Sequence, residues 1–159
     1  GGIAREDQIF KALALGAPFT KMICIGRATM IPGFLGANIE GVLKPERKAA
    51  VHGNWSDLPK SVSDVGAKAN EIFAGYYDVQ KKVGADAMQD IPLGAIAVWT
   101  LADKLAAGLQ QLLAGARKFS VSEISRYDLA SGNRETEKET GIPFITEIQD
   151  EAAKRMLNS

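Results

Sequence analysis

Two glycine-bearing turns hold the residues best suited to chemistry: Gly1-Gly2, and Gly26-Arg27 after the apolar run Met22-Ile23-Cys24-Ile25. A phosphate needs N–H donors at close range, and glycine lets the backbone approach where a Cβ would collide. Arg27 adds a planar fork for a bidentate, charge-assisted contact. Hydrogen bonds to charged groups contribute about 1.5–3 kcal/mol each net, so three or four of them hold a phosphate well. Other reactive side chains stand alone. Cys24 reads as a small buried apolar residue rather than a nucleophile, since no His is near it in the pattern. His52 sits in a polar, Gly-flanked loop without the partners a metal site needs. Asn54-Trp55-Ser56 matches a glycosylation acceptor, with nothing to suggest secretion. The sequence has no Walker loop, no HExxH, no nucleophile elbow and no paired-carboxylate constellation.

The elements that must position these turns read helix, strand, loop, then helices. Arg5 to Leu15 is predicted helical, with Ile9, Phe10, Ala12 and Leu13 crowding one side and Gly16 as the stop. The Met22–Ile25 run fits a strand buried on both faces, as in a parallel sheet. From Thr29 to Asn54 the many glycines, with Pro32 and Pro45, predict loop, with room for a helical turn at Glu46 to Ala50. Ser61 or Ser63 can cap a helix whose apolar positions Val65, Ile72, Phe73, Tyr76, Tyr77 and Val79 run at helical spacing to Gly84. Pro92 opens a second helix bearing Ile96, Trp99, Leu105 and Leu113, apolar enough around its circumference to be expected deep in a core. Ser120 with Glu123 forms a capping box, and short helices are predicted near Asn133 to Thr140 and Glu147 to Leu157. One central-looking strand has no neighbours to pair its backbone. Either they lie on another segment, or the run is not a strand.

Composition narrows the function classes. The chain has 159 residues, 46% of them apolar, which suits one domain with a sizeable core. Nineteen basic side chains balance nineteen acidic ones, which argues against nucleic acid as the main ligand. A single cysteine excludes an internal disulfide, an all-cysteine zinc site and a cysteine-held iron–sulfur cluster within this chain. Asp103 and Lys104 interrupt the most apolar stretch, Ile91 to Ala116, and each would cost about 2.5–3.5 kcal/mol in a bilayer. The expectation is therefore a cytoplasmic protein without a membrane span. The opening lies mid-motif and no Met starts it, so the sequence reads as a piece of a larger protein.

The run Gly1-Gly2-Ile3, the helix Glu6 to Ala17 with Lys11-Ala12-Leu13-Ala14-Leu15-Gly16-Ala17, and Ile23-Cys24-Ile25-Gly26-Arg27-Ala28 together resemble the seventh and eighth βα units of FMN-binding (β/α)₈ barrels. They are most similar to the FMN-binding domain of the glutamate synthase family, strongly over residues 1–36 and weakly again from Asn133 to Pro143. The resemblance implies an α/β fold: the C-terminal fragment of a TIM barrel in residues 1–36, then a loop and helical extension in 37–159. In such barrels the loops after strands seven and eight form the phosphate site. Gly1, Gly2, Gly26 and Arg27 would then face the 5′-phosphate of FMN. The implied activity of the intact protein is an oxidoreductase in which reduced flavin passes a hydride to 2-iminoglutarate, formed from 2-oxoglutarate and ammonia. Catalytic residues would lie on earlier strands, so this chain alone is expected to be inactive. The remaining barrel segment, from the same protein or a partner chain, is the implied partner, with a homo-oligomer as the alternative. Hydroxyacid oxidases and IMP dehydrogenase-like enzymes carry similar segments, the latter binding a nucleotide rather than a flavin. Bacterial-type glutamate synthases hold an iron–sulfur cluster by cysteines near this region. No cysteine follows Cys24, so that cluster is not implied here. A reading from another class is a non-enzymatic helical module that packs on a partner through its Trp99–Leu113 face.

Overall fold

The computed structural model describes residues 2–44 and 68–158. Gly1, His52, Asn54 and the turn expected at Glu46 to Ala50 lie outside the described residues. The chain divides into two compact units, one from Gly1–Ala4 and Cys24–Gly108, the other from Arg5–Ile23 and Leu109–Ser159. Eight α-helices are described: α1 (Glu6–Gly16), α2 (Arg27–Leu43), α3 (Ala69–Ile72), α4 (Tyr76–Val83), α5 (Ala85–Met88), α6 (Leu93–Gly115), α7 (Arg134–Thr140) and α8 (Ile145–Leu157). Among them no helix is long and apolar enough to cross a membrane.

The fold is all-helical, which corrects the α/β barrel-fragment expectation. Among the described residues there is no strand, only an isolated parallel bridge between Ser131 and Phe144. The Met22–Ile25 run has no regular secondary structure and belongs to no ladder. A strand exists through the bonds its neighbours make, and a continuous apolar run shows only that a segment would suit such company. Met22 is 83% exposed, and Cys24 is exposed rather than buried as its strand context suggested.

In the first unit, α2 replaces the expected loop and runs unbroken through Pro32, Gly33, Gly36 and Gly41. Among them Gly36 is required by a close helix–helix approach. A Cβ on Gly36 would lie 2.7 Å from both the Gly94 Cα and the Leu93 carbonyl oxygen, and one on Gly94 would lie 2.7 Å from the Gly33 carbonyl oxygen. Removing side chains from both faces lets the backbones of α2 and α6 meet. Beside this contact the buried carboxylate of Glu40 accepts the Leu93 amide at 3.3 Å and pairs with Lys44 Nζ at 3.3 Å. It thus supplies negative charge and an acceptor to the start of α6, where unpaired amides gather. Ile39, Phe73, Val79, Met88, Leu93 and Ile96 form the apolar core around these helices.

The helix expected to run continuously to Gly84 is broken at Phe73–Gly75 into α3 and α4. The Gly75 amide donates to Thr100 Oγ1 at 3.2 Å, and a Cβ there would lie 2.7 Å from that oxygen. Gly84 does end α4, with φ +91°. Nor is α6 deeply buried all round, since Trp99 and Leu112 are each 37% exposed.

The second unit has a smaller core of Phe10, Leu13, Ala14, Leu113 and Ile124. α1 forms where the apolar spacing predicts and stops at Gly16, whose carbonyl accepts the Phe19 and Thr20 amides at 2.9 and 2.8 Å. On its outer face Arg5 grips Asp7 with two bonds of 3.0 Å and Lys11 adds a third of 3.0 Å. Those bonds, Arg5's foremost, hold the Asp7 carboxyl at about 2. Beyond α6, polar side chains shape the chain. Ser120 and Glu123 make the expected capping box, around a single 3₁₀ turn (Val121–Glu123). Ser125 and Asp128 repeat the device at the next 3₁₀ turn, Arg126–Asp128. Asn133 caps α7 by accepting the Thr136 amide at 2.8 Å, and Gly141 ends that helix at φ +67°.

Candidate functional site

Of the four residues expected to grip a phosphate, Gly26 and Arg27 stand at the start of α2. Gly26 is its N-cap and Arg27 its first residue, and both are exposed. No side chain caps this end. The Gly26 carbonyl receives the Thr29 amide at 3.0 Å and the Thr29 hydroxyl at 2.8 Å, so of the first-turn amides that of Thr29 is already bonded. A Cβ added at Gly26 would meet nothing within 4 Å, and no described residue forms an ion pair with Arg27. The 17 residues of α2 align their peptide dipoles so that the positive end lies at Arg27. A glycine at a helix start, open space and an adjoining guanidinium fit an anionic oxygen cluster. Gly2 belongs to the same unit, with φ +85° and open space around it. Gly1 lies outside the described residues.

The second unit contains a cleft of about 840 Å³ that sequence reasoning did not find. Pro18, Ile124 and Leu129 line one side, Ile142 and Pro143 contribute from the α7–α8 connection, and Ile148, Ala152 and Arg155 come from α8. The only local signal was the helical spacing of the last three.

Polar bonds, buried only at Ser131, tie together the segments that carry these residues. Lys118 Nζ donates to Asp128 Oδ2 at 2.6 Å and to the Glu123 carbonyl, and the Ser125 amide donates to the same Asp128 oxygen at 2.7 Å. Burial alone would raise the Asp128 carboxyl, but the bonds from Lys118 and the Ser125 amide outweigh it and hold it below the usual range. Ser131 accepts the Ile145 amide at 3.1 Å through its carbonyl and donates to the Pro143 carbonyl at 2.9 Å and, by its hydroxyl, to the Ile142 carbonyl at 2.7 Å. Arg134 bonds Glu147 and Glu137, the latter at 2.8 Å, with its guanidinium 4.9 Å from the Phe144 ring centre. The Arg134 bond, and then the Phe144 amide at 2.9 Å, depress the Glu137 carboxyl.

Among the described residues no three His, Cys, Asp or Glu side chains are grouped to hold a metal ion. Comparison with family models, with curated proteins and with solved structures gives no match.

Proposed function

We propose that this chain is part of an FMN-dependent oxidoreductase of the glutamate synthase type, to which it contributes the grip on the flavin phosphate. The observation that supports the reading is Gly26-Arg27 at the start of a 17-residue helix, uncapped by any side chain and open to solvent. The reading rests on that turn and helix, with the likeness of residues 1–36, and on no sheet. Gly26 lets the phosphate reach the first-turn amides, Arg27 adds its fork, and Gly1-Gly2 supplies further donors. Reduced FMN, when bound, supplies a hydride to 2-iminoglutarate to give glutamate. The isoalloxazine ring and substrate meet residues outside this chain, on the rest of the same protein or on a partner chain, and a cytoplasmic location goes with such an activity.

Titration of the chain with FMN and with riboflavin, which lacks the phosphate, tests this. FMN is expected to bind more tightly, and Arg27→Ala to remove most of the difference. Equal binding of the two flavins, or an Arg27→Ala variant indistinguishable from the parent, would overturn the assignment. Tighter binding of a purine monophosphate than of FMN would move it to the nucleotide-binding relatives. A second reading, the non-enzymatic helical module, is favoured by the partial exposure of Trp99 and Leu112 on α6, each 37%. It predicts no flavin binding under any of these conditions.

A further inference from the structure

The cleft of the second unit has features that the flavin reading does not use. No residue of α8 is buried, although one side of the helix, at Ile148, Ala152 and Arg155, borders the cleft. The helix is held at its start, where Ile145 bonds Ser131 and Arg134 bonds Glu147. Ile148 remains 39% exposed although Pro18, Ile124 and Ile142 line the same hollow. An apolar space of about 840 Å³ lies within the range of roughly 300–1,000 Å³ typical of small-molecule sites.

Charge decides what such a molecule carries. Four charged side chains line the cleft: Arg126, Arg155, Glu123 and Glu151. The Glu123 carboxylate already accepts the Phe119 and Ser120 amides at 2.9 and 3.2 Å. Arg155 forms an ion pair with Glu151 at 3.8 Å, longer than a hydrogen bond, and its side chain is 83% exposed. Arg126 uses one terminal nitrogen on the Thr140 carbonyl, and a guanidinium has five N–H donors. Two guanidiniums and two carboxylates thus share the rim of the hollow, and Arg126 and Arg155 keep N–H donors that no hydrogen bond uses.

We propose that this cleft binds a small organic anion with an apolar body, of the medium-chain carboxylate class. The chain lies along Pro18, Ile124, Ile142 and Ile148, and the carboxylate meets Arg155, with Arg126 beside it. The full chain, titrated with octanoate, octan-1-ol and octylamine and followed by backbone amide shifts, tests the proposal. Octanoate is expected to saturate, with shifts centred on Ile142 and Ile148, and octylamine to bind about fivefold more weakly, the upper end for losing a solvent-exposed charge pair. Arg155→Ala is expected to weaken octanoate by about the same factor and leave octan-1-ol unchanged, while Arg155→Lys restores part of the loss. Ile148→Asn, at a position that is not buried, is expected to weaken octanoate and octan-1-ol alike. Octanoate binding no better than octylamine, shifts centred away from the cleft, or Arg155→Ala binding octanoate as the parent does would each overturn the proposal.

Discussion

In the first unit two helices meet backbone to backbone at Gly36 and Gly94, with a buried carboxylate beside the contact and an apolar core around it. The second unit, past α6, is held by side chains that reach backbone groups: Glu123 to Phe119 and Ser120, Asp128 to Ser125, Asn133 to Thr136, Ser131 to Ile142. Close packing tolerates little change in volume, because the neighbours of Gly36 are main-chain atoms that cannot turn aside. Hydrogen-bonded turns instead fail one bond at a time. A helical region built on backbone contact and one built on capping therefore respond differently to mutation and to acid.

Gly36→Val strikes the packed region hardest. Its Cβ would lie 2.7 Å from two backbone atoms of the facing helix, so a loss of about 2–3 kcal/mol or more is expected. The gain in helix propensity from replacing a glycine, at most about 1 kcal/mol, is smaller. Hydrogen exchange should show the loss in α2 and the first turns of α6. Glu40→Leu should cost about 1–3 kcal/mol by leaving the Leu93 amide without its acceptor, and Glu40→Gln less, since an amide oxygen can still accept. Denaturant midpoints of the two variants measure the difference.

Lys118→Met is the matching test in the second unit, with an expected loss of about 1–3 kcal/mol because it strands a partly buried carboxylate. It also carries a pH signature. The Asp128 carboxyl is depressed in the folded state, so its contribution is fully present above the unfolded value of roughly 3.9 and is lost as pH falls through the lower folded value. Lys118→Met should flatten that part of the acid titration, and urea midpoints between neutral and acid pH would reveal it. Asn133→Ala is the mildest, about 1 kcal/mol confined to α7 for loss of the cap. Circular dichroism combined with exchange at Thr136 checks this last effect. If Asn133→Ala unsettled the whole second unit, the picture of independently failing turns would be wrong.

The two regions also differ in how much of them could be read in advance. Ser120 with Glu123, the helix from Asn133 to Thr140 and the stops at Gly16 and Gly84 are local chemistry, and the structure has them. The Ser125–Asp128 box has the same spacing and is equally legible in the sequence. α2 was not legible, because Pro32, Gly33 and Gly36 are loop residues by local rules, and the close approach to Gly94 that suits Gly36 is a long-range contact. The break at Gly75 likewise answers to Thr100, far along the chain. The Met22–Ile25 run misled for the converse reason, since apolarity alone does not supply pairing partners. Of the anticipated site, Gly26-Arg27 opens a helix where a turn after a strand was expected. The arginines of the cleft share no local pattern, and folding alone brings them to one hollow.

The fastening of α8 by its opening turn sets a direction to its unwinding. With Ser131, Glu137 and Arg134 gripping the stretch from Phe144 to Glu147, and Leu157 at 86% exposure, disorder should enter from the exposed end and travel backward. Amide protection would then fall in a graded sequence from Ile148 to Leu157, and a molecule lodged beneath the helix would slow that gradient most at its far turns.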